Sequence, residues 1–313
     1  MGEIDRLFLR VRVEQSLGII EDVAAKTDRP LIVQFSGGRD SMVLLELTRT
    51  VTSNFVCAYM ATGLEFAGFV KYIKDFCAGA GVPLIISNPT MHKGNLFKRV
   101  EQFRTWPGLV ATWCCRDLKL RPEKKLLQKL YGKGTFYKLE GVRMYESQRR
   151  RSLYKDVAET FIREDGEHKK SFDVFPILLW SDYDVINFLQ EKGLPTSRLY
   201  DDYGVSGCSW CPFYEPAIYK RVLEKLPNHY DRFIEWEEKL GQPSVNGFVY
   251  LGDIKREVVD GIPMPVRDEG KPGRSPCQMM LNGELVPTCS VYGHLYIDGT
   301  CFRCDILEIK EPL

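Results

Sequence analysis

Long hydrophobic runs are missing from this 313-residue chain: no stretch of about eighteen apolar residues occurs, which argues against a membrane-spanning helix. The start, Met1-Gly2-Glu3-Ile4-Asp5-Arg6, lacks the segments of a secretory leader, and Arg6 breaks the myristoylation pattern. A cytoplasmic protein with no membrane partner is therefore the expectation. A net charge of one sign is missing too, with 43 Lys and Arg against 42 Asp and Glu. The chain as a whole thus carries no field that would select an anionic or cationic partner. There is no internal repeat and no low-complexity tract. Disulfides are not expected either, because thiols stay reduced in the cytoplasm, so the ten cysteines point to metal binding or catalysis.

What the chain does have is a strand, a glycine loop and a helix start in direct succession. The apolar run Leu31 to Phe35 stops at Ser36-Gly37-Gly38, and a helical pattern begins at Ser41 with Met42, Val43, Leu44, Leu45 and Leu47. Two glycines permit a tight turn and a close approach to a ligand. The helix start then presents N–H groups and the positive end of its dipole to an anion in the loop. Ser36 and Ser41 add hydroxyls, and Ser41 can cap the helix. The Gly-Lys-Ser/Thr ending of a Walker loop is absent. An ordinary βα turn is the bland alternative.

Charge is uneven locally. From Arg116 to Lys155 there are thirteen Lys or Arg against four acids, an excess of nine. Such a stretch suits a nucleotide, a sulfate ester or nucleic acid, although solvated helix faces account for part of it. Around it, strands Phe55 to Met60, Leu84 to Ser87 and Phe136 to Gly141 alternate with helices at Val11 to Ala25, Ala67 to Ala80, Pro122 to Tyr131 and Asp182 to Glu191. The last is capped by Ser181 and ended by Gly193, and residues 155–171 read as a loop or hairpin. The pattern predicts a doubly wound, mainly parallel α/β sheet. Ligands of such sheets bind at the carboxyl ends of the strands, where the Ser36 loop, Thr62-Gly63 and Gly141 to Arg143 fall. Beyond Gly241 prolines, glycines and short alternating runs dominate. The expected organisation is an α/β domain over 1–240 and a small cysteine-rich β module over 241–313.

The cysteines form two sets. Cys114 and Cys115 are adjacent and are followed by Arg116, Lys119 and Arg121, while Cys208-Ser209-Trp210-Cys211 lies ninety-odd residues on. Vicinal cysteines are poor disulfide partners for each other, but together with a distant Cys-x-x-Cys they can ligate one 4Fe–4S cluster. A four-thiolate zinc site and buried unligated thiols are the alternatives. The tail holds Cys277, Cys289, Cys301 and Cys304 at spacings of eleven, eleven and two. Beside Leu295-Tyr296-Ile297 and Gly299 this reads as a zinc ribbon or knuckle, with His294 as a substitute ligand. Cys57 and Cys77 read as core residues.

These motifs, in order and over roughly residues 25–225, resemble the adenylyl-sulfate and phosphoadenylyl-sulfate (APS/PAPS) reductase family, whose fold is Rossmann-like. Ser36 to Ser41 match its PP-loop, with Arg39 where lysine is common. Thr62-Gly63-Leu64-Glu65 is similar to its Asp-Thr-Gly segment, with Ala61 in place of Asp. Gly141-Val142-Arg143, Ser147 and Arg149 match a further motif, as do Trp180-Ser181, Asp184-Val185, Leu194-Pro195 and Leu199-Tyr200. The resemblance implies an adenine nucleotide (APS, PAPS or ATP) held by Ser36, Gly37, Gly38, Arg39, Asp40, Ser41, Thr62, Gly63, Arg143 and Arg149. It also implies a 4Fe–4S cluster on Cys114, Cys115, Cys208 and Cys211, with Lys119 near the cluster and the anion. A solvated basic turn is the alternative for Arg150 and Arg151.

The family's reductases attack sulfur with a tail cysteine in Glu-Cys-Gly-Leu-His, a motif this chain lacks. One expectation is sulfite release from APS or PAPS by a tail nucleophile, Cys289 or Cys277, with Lys119 and Arg143 assisting and a thioredoxin-like dithiol as reductant. The other is adenylation with release of pyrophosphate from ATP, serving tRNA thiolation or DNA phosphorothioation. That chemistry would use magnesium, with Asp40 orienting it, and a nucleic-acid substrate. Four tail thiolates locked on zinc would favour the second. Homo-oligomerisation is compatible with both.

Overall fold

Alternation along one strand organises the molecule. In β1 (Leu31–Gln34), Leu31 and Val33 pack into one apolar cluster while Ile32 packs into another, so the strand is covered on both faces. The computed structural model describes residues 3–91, 94–108, 113–132, 134–164, 171–205, 207–245, 249–262, 279–281, 284–286, 296–297 and 300–301. Helix α1 (Glu3–Ala24) precedes β1. Then follow α2 (Arg39–Val51), β2 (Phe55–Met60), α3 (Phe69–Gly79), β3 (Leu84–Ser87), α4 (Leu96–Phe103) and the single turn α5 (Trp113–Cys115). A π-helical turn, Arg116–Leu120, leads into α6 (Arg121–Tyr131), β4 (Phe136–Leu139) and α7 (Gln148–Leu153). The remaining elements are β5 (Ile162–Glu164), β6 (Ser171–Val174), α8 (Asp182–Glu191), α9 (Leu199–Tyr203), α10 (Pro216–Lys225), α11 (Pro227–Leu240), α12 (Leu251–Asp260), β7 (Met279–Leu281), β8 (Glu284–Val286), β9 (Tyr296–Ile297) and β10 (Thr300–Cys301).

The chain divides into two compact units, residues 1–92 with 119–207, and residues 93–118 with 208–313. The first carries a six-stranded sheet in the order β3-β2-β1-β4-β6-β5. All neighbours run parallel except β5, which lies antiparallel to β6. Strand order reverses at β1: β2 and β3 lie to one side, β4 and β6 to the other. The crevice beyond the carboxyl ends of β1 and β4 is thus the switch point where ligands of open α/β sheets bind. Ile20 of α1, Leu44 of α2, Ile73 of α3 and Phe188 of α8 cover one face, and Leu127 of α6 covers the other. The doubly wound, mainly parallel sheet is as expected. Helix α8 begins on Ser181 in a full capping box with Asp184. Of the two expectations for residues 155–171, the hairpin forms, as β5 against β6.

The second unit is helical over its described residues up to 262 and carries two short strand pairs beyond. Trp210 stacks on Phe233 at 5.7 Å and packs against Trp106 at 5.3 Å, while Phe97 lies 5.2 Å from Phe233. The Pro- and Gly-rich texture from Pro243 onward does not predict α12. That helix forms because Leu251 and Ile254 are buried and because the buried Glu237 carboxylate accepts the N–H groups of Ser244 and Leu251, each at 2.8 Å. Beyond it, β7 pairs with β8 and β9 with β10, both antiparallel. Cys301 closes β10, whereas Cys277, Cys289, His294 and Cys304 lie outside the described residues. Among the described residues no helix is long and apolar enough to cross a membrane.

Candidate functional site

The loop between β1 and α2 is shaped by its own hydroxyls and by close backbone approach. Ser41 donates to the Gly38 carbonyl at 2.9 Å, and Ser36 Oγ accepts the Gly38 N–H at 3.3 Å and lies 3.2 Å from Ser41 Oγ. Gly37 adopts φ +72°, and a Cβ there would lie 2.4 Å from Ile73 Cδ1. From the other side of the switch point, Gly141 comes so near that its Cβ would be 3.2 Å from the Ser41 nitrogen. Strand β4 ends at Leu139, earlier than the Gly141 end expected: Glu140 keeps one bond to β6, its N–H donating to the Val174 carbonyl at 2.8 Å, and Gly141 turns away to meet the loop.

Arg143 follows directly. Its buried guanidinium donates from Nε to Asp40 Oδ1 at 2.8 Å and from Nη2 to Asp182 Oδ1 at 2.7 Å. Burial pushes the Asp40 carboxyl above its ordinary value, while Arg143 pulls the other way. Arg39, the loop's variable residue, lies 4.3 Å over the Tyr200 ring, and its N–H donates to the Tyr200 hydroxyl at 3.3 Å. Thr62 and Gly63 sit in a turn closed from within: the Glu65 carboxylate accepts the Thr62 N–H, the Thr62 hydroxyl at 2.8 Å and the Gly63 N–H at 3.0 Å. The Thr62 and Gly63 N–H groups are thus already occupied by an internal anion. Arg149 lies in α7, where Ser147 caps the helix and Arg150 pairs with Glu146.

At the same carboxyl edge lies a polar cluster in which Glu123, Lys138 and Asp173 are buried and Gln34 and Glu140 are half-buried. Gln34 donates to Glu123 of α6, and Lys138 pairs with Asp173 at 2.9 Å. Glu140 completes it: burial and the neighbouring Asp173 push its carboxyl up to about 8, Lys138 opposes this, Glu123 adds to it and Arg163 opposes again.

The four cysteines of the expected cluster all belong to the second unit. No disulfide joins Cys57, Cys77, Cys114, Cys115, Cys208 or Cys211. A hydrogen bond with Cys115, then burial, push the Cys114 thiol up, with Cys115, Cys211 and Cys208 all adding, so the four thiols share one electrostatic neighbourhood. The Cys-x-x-Cys turn is fixed by aromatic residues: Tyr214 donates to the Cys208 carbonyl at 2.8 Å, Tyr219 to the Cys211 carbonyl, and Trp210 to Ser244 at 3.3 Å. Beside the vicinal pair, Asp117 is fully buried between Arg99 and Arg116. Its burial would raise its carboxyl, but the hydrogen bonds and charges of Arg116 and Arg99 hold it below the usual range. Lys119 follows, half-buried, in the π-helical turn.

Among the described residues, no group of three or more His, Cys, Asp or Glu is disposed to hold a single metal ion. One tetrahedral zinc would draw its sulfurs to about 2.3 Å from a common centre. A 4Fe–4S cluster gives each thiolate its own iron and so asks for a wider set. The indole N–H groups of Trp106 and Trp113, in the same unit, are buried without a partner in the described residues, and sulfur is an acceptor such donors could use. Four thiols in one unit are the donor chemistry that a 4Fe–4S cluster or a four-thiolate metal site takes. In the sequence Asp182, Trp210 and Glu140 had no site role of their own, and Tyr200 stood there only within the Leu199-Tyr200 match. The signals near them were the capping pair of Ser181 with Asp184 and the Cys208-x-x-Cys211 motif around Trp210.

A family model described as "Phosphoadenosine phosphosulfate reductase domain" matches residues 30–254. The chain is 28% identical over 243 residues to the uncharacterized protein MJ0066 of Methanocaldococcus jannaschii, a match covering 77% of this chain and 48% of that protein. It is 23% identical over 191 residues to adenosine 5'-phosphosulfate reductase 2 of Bacillus subtilis, covering 59% of this chain and 74% of the relative. Its fold is similar to the phosphate complex of phosphoadenylyl-sulfate (PAPS) reductase from Candida auris, at 17% identity and a TM-score of 0.45, over 66% of this chain and 96% of that one. The chain spans about half the length of the first two curated relatives it matches, 48% and 53% of their residues. With a reductase-domain model matched across its α/β core, its glycine loop and its Cys-x-x-Cys turn, the chain belongs to the phosphoadenosine phosphosulfate reductase family.

Proposed function

We propose that the chain processes an adenylyl sulfonucleotide, APS or PAPS, at the loop Ser36 to Ser41, reductively releasing sulfite. The observation that carries this reading is the loop's position: a Ser-Gly-Gly-Arg-Asp-Ser turn at the switch point, closed by Gly141 and tied through Asp40 to Arg143. The first turn of α2 would face the phosphate, Ser36 and Ser41 would donate to its oxygens, and Arg143 and Arg149 would supply positive charge. A tail thiolate, Cys289 or Cys277, would attack the sulfate sulfur. The sulfur–oxygen bond to the phosphate breaks, and AMP or its 3'-phosphorylated form leaves with the electron pair. A dithiol then reduces the cysteine thiosulfonate, releasing sulfite as the dithiol becomes a disulfide. Cys114, Cys115, Cys208 and Cys211 would hold a 4Fe–4S cluster, which supplies electrostatic and redox chemistry when bound.

One observation favours a second reading. The tail lacks Glu-Cys-Gly-Leu-His and carries four cysteines instead. If zinc locks those thiolates, the same loop would bind ATP with magnesium and adenylate a nucleic acid for sulfur insertion. The test is anaerobic incubation with APS, PAPS or ATP-magnesium plus a dithiol, assaying sulfite, AMP and pyrophosphate. Sulfite from APS or PAPS establishes the reductase, and pyrophosphate from ATP without sulfite establishes the adenylating enzyme.

A further inference from the structure

One buried polar atom beside the glycine loop has no use in the ligand-free chain. The hydroxyl of Tyr72, on α3, is shielded from solvent and has no hydrogen-bond partner among the described residues. Its ring is held firmly, stacked on Phe69 at 5.7 Å and tilted against Phe76 at 6.4 Å. The Cε1 edge lies 3.5 Å from where a Cβ on Gly37 would stand, so the ring packs directly beneath the loop. Burial, with smaller contributions from Cys77 and Tyr200, pushes the phenol above its ordinary value, so it stays a proton donor at neutral pH. An unmet buried hydroxyl is destabilising in the free protein, and a native structure that retains one needs a reason for it.

We infer that Tyr72 is a further binding residue of the loop, its hydroxyl donating to a phosphoryl oxygen of the nucleotide seated at Gly37. This rests on the nucleotide reading of the loop given above. Three features support it: the ring edge lies 3.5 Å from the Cβ position of the one loop glycine that has left-handed backbone, the atom is a donor, and the loop is built to receive an anion. Tyr200 enters the same neighbourhood from α9, where its hydroxyl accepts the Arg39 N–H. Tyr200 and Tyr72 thus approach the loop from two different elements.

The experiment compares the full-length wild type with Tyr72→Phe, by calorimetric titration with AMP, ATP and adenosine and by thermal unfolding without ligand. The assignment expects the variant to melt at or above the wild-type temperature, because an unpartnered hydroxyl has been removed. It expects AMP and ATP to bind about tenfold or more weakly, as for loss of a hydrogen bond to a charged group, and adenosine to be unaffected. If the wild type binds the nucleotides and Tyr72→Phe binds them within twofold, the assignment falls and the nucleotide reading stands. If adenosine weakens as much as AMP, the contact is to the nucleoside and the phosphoryl assignment falls. If the wild type binds none of the probes, both fall.

Discussion

Arg143 Nε stands 2.8 Å from Asp40 Oδ1, so the residue after the β4 turn and the fifth residue of the glycine loop form one ion pair. With Asp182 on its second nitrogen, the guanidinium ties the loop to the start of α8. Two of its five N–H donors are taken by carboxylates, which makes Arg143 an organiser of the loop as well as a candidate anion contact.

Removing the arginine alone should therefore be worse than removing the pair. Arg143→Ala leaves Asp40 desolvated without its cation and is expected to lower stability by on the order of 3 kcal/mol in urea unfolding. Arg143→Met combined with Asp40→Asn removes the uncompensated charge and is expected to recover a substantial part of that. Equal losses in the single and double variants would show that the pair does not act as a unit.

The close contact beneath Gly37 gives a second test. Alanine at φ +72° costs about 1–2 kcal/mol in backbone strain alone, and its Cβ would overlap Ile73 Cδ1 at 2.4 Å. Ile73→Val deletes that methyl at a cost of about 0.5–1.5 kcal/mol. Gly37→Ala with Ile73→Val should then be less destabilised than the sum of the singles, by about 1 kcal/mol in a double-mutant cycle. Strict additivity would mean that Ile73 yields freely and strain alone sets the cost.

Local pattern explains what could be read in advance. Leu31 to Phe35, the two glycines and the apolar run Met42 to Leu47 lie within seventeen residues, so strand, loop and helix were each specified by neighbours in sequence. Ser181 and Asp184 are three apart and mark their helix start for the same reason. Asp182 and Arg143 are separated by 39 positions and Arg39 and Tyr200 by 161, and no short-range pattern announces such pairs. Helix α12 was hidden because its start depends on Glu237, fourteen residues before Leu251. The vicinal and Cys-x-x-Cys pairs were legible as chemistry, but the packing of Trp210, inside the Cys-x-x-Cys turn, against Trp106 and Phe233 needed the tertiary structure.

The proposed cluster ligands and the core thiols are expected to respond differently to substitution. Cys114→Ser or Cys208→Ser is expected to abolish the broad visible absorbance of anaerobically purified protein, together with its iron and labile sulfide. Cys57→Ala should keep the spectrum and lose stability instead, because Cys57 is wholly buried in the sheet core. An unchanged spectrum in the serine variants would remove the cluster from these four residues.

Glu140 predicts how stability responds to pH. Burial chiefly, and then Asp173, pushes its folded carboxyl up to about 8, against about 4.3 for a free glutamate. Between those values the folded chain holds a proton that the unfolded chain has released. The slope of unfolding free energy with pH follows protons bound in the unfolded state minus those bound in the folded state, so this contribution is negative. The stabilisation is fully present below about pH 4 and is lost progressively as pH rises to about 8, after which this carboxyl adds no further slope. Glu140→Gln mimics the protonated side chain in shape and cannot titrate. Urea unfolding from pH 5 to 9 should therefore show a shallower decline in the variant, with the largest advantage over wild type above pH 8. Parallel profiles would show that Glu140 is ionised in the folded chain and that Lys138 and Arg163 outweigh its burial.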